Sequence, residues 1–272
     1  MKYSALILLC FAFMLNAQEY KSPNYVTGSL YYTGSNATHG RTSGSISGYL
    51  NATIGTYNYL LAGYDNLDIT HNEWDYSQKM YIGGGGLSLY PIFIKAHYGK
   101  IRGDFSAPLF DLFHKDRTTL YNADLLYYTN WLVFRGSYTY EKITENANIK
   151  VNQYGVGVER YLGKNFYISL FGFLSDISTL DKLYSLKAKL TYFPMPGLSV
   201  SLETFIGKRA FFFHNDYLTI FNQGVIQESL YSLRAEYYLN QSFLLIGNLQ
   251  YTEFEDHVER YLVTGIKYIF SY

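Results

Sequence analysis

The stretch Val258 to Tyr272 limits what the rest of the chain can become. Read with a period of two, Leu262, Thr264, Ile266, Tyr268, Phe270 and Tyr272 share one face, and Val263, Gly265, Lys267 and Ser271 share the other. The result is a strand whose oily side thickens into aromatics. In water such an edge is an aggregation hazard. It is harmless where another strand of the same chain closes over it inside a membrane, since there every backbone polar group must find its partner within the sheet.

Composition narrows the alternatives. Beyond the leader no segment approaches the roughly 18 to 20 unbroken apolar residues of a spanning helix, so helical insertion is excluded. Aromatic residues make up 19% of the 272, and 31 of them are tyrosine, whose apolar ring and polar tip suit a membrane-water boundary. The leader is a secretory signal: Met1-Lys2 opens it, an apolar run covers Ala5 to Leu15, and Asn16-Ala17 ends it, so residues 1–17 are expected to be removed and 18–272 to form one domain. Cys10 lies within that run, with Leu9 where lipidation would need a small residue, so the mature chain has no thiol for a disulfide or a metal. Loss of Lys2 takes the charge from zero to 21 minus 22, about minus one, and gives no electrostatic case for nucleic acid.

From Tyr25 onward the sequence divides into fourteen alternating segments close to the length a tilted strand needs to cross a bilayer. Their connectors alternate in length. Gly55-Thr56, Pro91, Thr129-Asn130, Gly163 to Asn165, Pro194 to Gly197 and Asn240-Gln241 are short, whereas Gly34 to Thr42, Asp104 to Asp116, Ile143 to Ile149, Asp176 to Lys182 and Arg209 to Val225 are longer. This is the layout of an all-β, transmembrane, antiparallel up-and-down barrel of about fourteen strands, with short periplasmic turns, longer extracellular loops and both termini periplasmic. Faces agree with it: Phe134, Tyr138 and Tyr140, or Leu186, Leu190 and Tyr192, point outward while Arg135, Glu141, Lys187 and Lys189 point inward. Aromatics including Tyr127, Trp131, Tyr161, Phe166, Tyr192, Phe243 and Tyr268 gather beside the short turns, where a periplasmic girdle belongs.

Candidate lumen-lining residues are Lys95, His97, Asp124, Arg135, Glu159, Lys187, Lys189, Glu203, Arg234, Glu236 and Lys267. Folding the strands about their turns sets Asp124 against Arg135 with Glu159 beyond, and places Lys187 and Lys189 on either side of Glu203. Such sets brace a barrel interior or give a pore a transverse field. His97 is expected opposite Ala123 and near Asp124, a possible acid-base couple, but no inward serine stands beside it and no catalytic residue is assigned. The other five histidines fall in or beside long loops without ligand-type spacing, so no metal site is assigned. The run Gly83 to Gly86 has no Lys-Ser/Thr after it and reads as bare strand under a neighbouring ring; no cofactor is expected. Phe110 and Phe113 in one loop, with Phe211, Phe212 and Phe213 in another, are candidate constriction residues, since apolar groups on exposed loops seek burial.

The pattern Gly265-x-x-Tyr268-x-Phe270, finishing on Tyr272, resembles the C-terminal signal by which bacterial outer-membrane barrels are recognised for insertion, although Val263 stands where a large polar residue is usual. In length, loop spacing and strand order the mature chain is similar to the YaiO-type outer-membrane barrels, and its leader and Tyr-rich strands look like exported barrels of Bacteroidota. The resemblance implies a Gram-negative outer membrane, contact with lipid and lipopolysaccharide, and delivery by the barrel assembly machinery. The expected function is a narrow or gated channel for small solutes, acting as a monomer. The alternatives are a non-conducting barrel acting through its outer loops and a lipid-modifying enzyme. Only about seven residues would precede the first strand after cleavage, too few for the plug of energised receptors or the hatch of fatty-acid transporters.

Overall fold

The computed structural model describes residues 24–54, 58–144, 148–214, 218–221 and 225–271. The leader, the turn at Gly55-Thr56 and Tyr272 lie outside the described residues. In chain order the strands are β1 (Tyr25–Ala37), β2 (Thr42–Ile54), β3 (Asn58–Thr70), β4 (Asp75–Leu89), β5 (Ile92–Ala107), β6 (Leu112–Tyr128), β7 (Val133–Thr144) and β8 (Ile149–Leu162). They continue as β9 (Phe166–Ile177), β10 (Leu183–Met195), β11 (Leu198–Arg209), β12 (Phe212–His214), β13 (Thr219–Phe221), β14 (Gln227–Tyr238), β15 (Phe243–Phe254) and β16 (Val258–Ser271). Fourteen of them close a barrel in which each pairs with its sequence neighbours, β11 with β14, and β1 with β16; β12 and β13 form a separate hairpin. The closing seam runs antiparallel from Tyr25 opposite Ser271 to Ala37 opposite Glu259, so neither terminal strand leaves an open edge.

All fourteen expected spans are present, and several run further toward the long-loop end. β1 reaches Ala37 rather than Thr33, β5 reaches Ala107 rather than Gly103, and β6 begins at Leu112 rather than Arg117. The reason is physical: apolar alternation marks only where one face meets an apolar solvent, whereas the backbone ladder continues into water at no cost.

The outer face is oily. Leu30, Leu60, Leu125, Val156, Leu186, Leu202 and Leu249 are all exposed, Val156 to 70%. A contiguous apolar surface of this kind belongs against lipid. Near the short turns the expected girdle is present, with Phe166 on Tyr192 and Phe243 on Tyr268, ring centroids 4.9 Å apart in each pair.

Inside, aromatic side chains lie flat over bare backbone. Tyr49 covers Gly63, Tyr59 covers Gly86, His97 covers Gly84 and Tyr31 covers Gly265. This answers the run Gly83 to Gly86, which is part of one continuous strand paired on both sides. A Cβ on Gly63 would stand 2.4 Å from the Tyr49 ring and 2.9 Å from Ile82, whereas one on outward Gly136 would meet nothing within 4 Å. Gly63→Val is therefore expected to destabilise the folded barrel by about 1–3 kcal/mol, and Gly136→Val to leave it unchanged. Urea titration followed by heat-modifiable gel migration measures both.

Candidate functional site: a lumen divided by an inward loop

After β11 the described residues 210–214 fold into the barrel. Gly207, at φ +107°, begins a register shift that ends at Arg209 opposite Gln227. The Arg209 guanidinium lies 3.5 Å from the ring centroids of both Phe205 and Phe212, and its Nε donates to Gln227 Oε1 at 3.0 Å. Phe211 adopts a left-handed φ of 48°, unfavourable for a residue with a Cβ, and is held there by packing with Ile143, Val151, Ile177 and Leu183. Phe213 reaches the far wall and joins Met80, Ile82, Ile101 and Leu120. In the ring of fourteen, β11 and β4 stand seven places apart, so this contact spans the lumen. His214 Nε2 is 3.1 Å from Glu203 Oε1, and the Phe213 N–H donates to Gln153 Oε1 at 3.3 Å.

On the β5 to β11 side the lumen is filled. Arg135 bridges Asp124 at 2.7 Å and Glu159 at 3.4 Å, and lies over the Phe171 ring, as does Lys187. The His97 Nδ1 and Asn122 Oδ1 are 3.0 Å apart, and Asn122 Nδ2 donates to Thr139 Oγ1 at 2.9 Å. The space left between Arg135, Gln153, Phe171, Arg209 and Phe213 is about 20 Å³, roughly one water.

On the opposite side a cavity of about 450 Å³ remains, walled by β1 to β4, β14 to β16 and the loop. The β1 and β2 wall carries Ser29, Thr33, Ser43, Ser45, Ser47 and Asn51, with Tyr31 and Tyr49 packed edge to face at 5.9 Å; β3 and β4 carry Leu61, Leu67, Ile69 and Met80, and β14 carries Leu230. Ser47 donates to Asp65. Toward the short turns Arg234 Nε donates to Glu236 Oε1 at 2.7 Å, and Lys267 lines the same cavity. At the outer mouth Glu259 accepts from Ser35 and Tyr261, and Arg41 Nη1 lies 3.3 Å from His257 Nε2. His257 Nδ1 is 2.6 Å from Asp256 Oδ1.

The inward set expected from the sequence is therefore assembled, with four corrections. His97 faces Asn122 rather than Ala123, because the register runs one residue away from the estimate; Asp124 stands opposite Lys95, and no His97–Asp124 couple forms. Glu203 meets His214, a histidine expected outside the cell, which the loop carries inward; Lys189 is Glu203's strand partner. Phe110 and Phe113 do not narrow the lumen: Phe110 is exposed on a 3-10 turn (Pro108–Phe110), and Phe113 lies on the outward face of β6 with Tyr121 and Leu125. Finally, the loop is narrower than the stretch Asp104 to Asp116 implied, since β5 and β6 pair as far as Ala107 and Leu112. Phe211, Phe212 and Phe213 are buried as expected. Tyr268 and Phe270 are exposed on the outer face, and Gly265 lies under Tyr31. Among the described residues no group of three or more His, Cys, Asp or Glu is placed to hold a metal. Sequence reasoning missed Arg209, Asn122 and the Tyr31–Tyr49 pair as lumen determinants; parity in register would have found the last two.

Comparison with solved structures places this architecture among outer-membrane barrels. The fold is similar to the CymD monoaromatic hydrocarbon channel, with a TM-score of 0.64, 8% identity, and coverage of 93% of this chain and 89% of that one. The P. putida toluene transporter TodX matches with a TM-score of 0.54 and 6% identity over 92% of this chain and 89% of that one. At such identities what is shared is the fold. No protein-family model matches the sequence, and no curated protein does.

Two predictions follow from the buried charges. Glu141 on β7 is fully buried between its strand partners Leu120 and Val151, and neither carboxylate oxygen has a hydrogen-bond partner. Burying a charge without a partner is costly. Glu141→Leu is expected to stabilise the barrel by about 1–3 kcal/mol, read as a higher urea midpoint. At the mouth, burial pushes the His257 pKa down, but bonds to Glu259 and Asp256 outweigh it and hold the imidazole above its usual 6.5. A raised folded pKa gives stability that is complete below 6.5 and lost as pH rises through the folded value. Wild-type stability should therefore fall relative to His257→Gln as pH rises across that window, and pH-dependent denaturation reads the difference.

Proposed function

We propose that this protein is an outer-membrane channel, of the YaiO-type barrels that its layout resembles, passing small solutes with polar groups and an apolar face, and that the β11 to β14 loop is its gate. The observation that carries this reading is the cavity of about 450 Å³ beside a loop that otherwise blocks the barrel. A structural brace has no need of an open half-lumen lined by hydroxyls and amides. The solved channels of similar fold support a conducting role, and this serine- and asparagine-bearing wall favours solutes more polar than a hydrocarbon. The signal at Gly265, Tyr268, Phe270 and Tyr272 fits insertion by the barrel assembly machinery with both termini in the periplasm. A lipid-hydrolase reading finds no support at His97, whose ring meets an amide.

A second reading, a non-conducting barrel working through its outer loops, draws on the exposed Phe110 and Phe113. Planar-bilayer recording separates the two. The channel reading expects discrete small steps from the wild type, and at least about threefold larger steps from the double variant Phe211→Ser with Phe213→Ser, whose loop loses both of its wall contacts. Silence from both folded proteins would refute it.

A further inference from the structure

The outer face carries a feature that a pore does not use. Toward the long-loop ends of β4 to β8, the outward positions hold Lys79, Lys100, Arg102, Lys115, Arg117, Lys142 and Lys150, all exposed. In register Lys79 lies directly opposite Arg102, Arg102 opposite Arg117, and Lys142 opposite Lys150. Like charges facing each other across a ladder repel. Among the described residues most of these cations have no carboxylate beside them to relieve the repulsion. Lys79, Lys100, Arg102, Lys115, Lys142 and Lys150 make no ion pair with a carboxylate of the described residues, although Asp104 stands opposite Lys115 and Asp68 lies one strand beyond. The opposite side of the rim is treated differently: Lys208 sits between Glu255 at 2.8 Å and Glu228 at 3.7 Å.

Directly below the basic band runs a staircase of tyrosines on the same outward face. Tyr64 packs on Tyr81 at 5.2 Å, Tyr98 on Tyr121 at 5.2 Å, Tyr121 on Tyr140 at 6.5 Å and Tyr138 on Tyr154 at 5.3 Å. Tyrosine in this position marks the boundary between headgroup and acyl chains, and below it come Leu60, Leu125, Val156 and Leu186. The lysines and arginines thus stand one or two pleats above that boundary, at the level of lipid phosphates. Five strands at about 4.8 Å spacing make the band about 20 Å wide.

Resting on the outer-membrane reading above, we propose that the outward rim of β4 to β8 binds the phosphorylated headgroup of a multiply acylated glycolipid of the outer leaflet. The phosphates supply the anions that Lys79, Arg102, Lys142 and Lys150 lack among the described residues, with the guanidinium fork of Arg102 taking two oxygens and the lysines acting as point charges. The acyl chains lie against the leucines and valines beneath the tyrosines.

Native mass spectrometry of the full chain in detergent tests this, with three probes: bisphosphorylated lipid A, the same lipid stripped of phosphate, and phosphatidylglycerol. The wild type is expected to prefer the phosphorylated glycolipid by at least about tenfold over either other probe. The variant Lys79→Gln, Arg102→Gln, Lys142→Gln, Lys150→Gln should lose that preference, while Lys208→Gln with Arg260→Gln on the far side keeps it. A variant with Lys79, Lys142 and Lys150 changed to Arg should also keep it, and heat-modifiable migration confirms that each is folded. Equal binding of the phosphate-free lipid, equal binding of phosphatidylglycerol, or an unaffected glutamine variant each overturns the site while leaving the barrel intact. A chain that stays dissolved without detergent overturns the site and the outer-membrane reading together.

Discussion

The seam between β1 and β16 is the interaction on which everything else depends. In hydrocarbon an unpaired N–H or C=O has no water to turn to, and each costs several kcal/mol. Thirteen residue pairs join these two strands, from Tyr25–Ser271 to Ala37–Glu259. They convert a sheet with two open edges into one with none. Only after that closure does an outer face of exposed leucines and valines become favourable, because only then is lipid its solvent.

Closure at fourteen strands creates a second problem, since an interior of that size is wider than facing side chains can fill. The chain meets it by three means. Aromatic rings fold back over glycine on neighbouring strands, which thickens the wall without leaving voids. Charges on the adjacent strands β6, β7 and β8 pair along the inner wall through Arg135. A loop enters and spends its phenylalanines on two separate walls. What these leave unfilled is the cavity beside β1 and β2, where the inward residues are mostly serine, threonine and asparagine and too short to reach across the lumen.

The fold was legible because strand periodicity, loop alternation and the lack of a long apolar run all pointed one way. The inward faces were legible for the same reason, as Arg135 with Asp124 and Glu159 shows. Register was harder. A one-residue error across the loop between β5 and β6 replaced Asn122 by Ala123 as the partner of His97 and produced an acid-base couple that does not exist. The two aromatic loops could not be told apart in sequence: Phe113 belongs to a strand continuing outward, whereas Phe211 to Phe213 follow a glycine at φ +107° that turns the chain inward. A bulge is a backbone event, and composition does not announce it.

The inward position of that loop rests on opposing terms that can be sized. Returning Phe211, Phe212 and Phe213 to water would cost about 5–9 kcal/mol at 1.5–3 kcal/mol for each buried side chain. Against this, withdrawal releases the left-handed strain at Phe211, about 1–3 kcal/mol, and rehydrates Arg209, whose guanidinium is buried between two rings at an effective cost of several kcal/mol before the ring contacts offset part of it. Withdrawal would also break the bonds of Arg209 to Gln227, His214 to Glu203 and Phe213 N–H to Gln153, which hold the loop inward. On the gating reading proposed above, a solute that touches Phe212 or Leu218 from the cavity changes one of those terms directly. The residues that block the barrel are thus the same ones that face the open half.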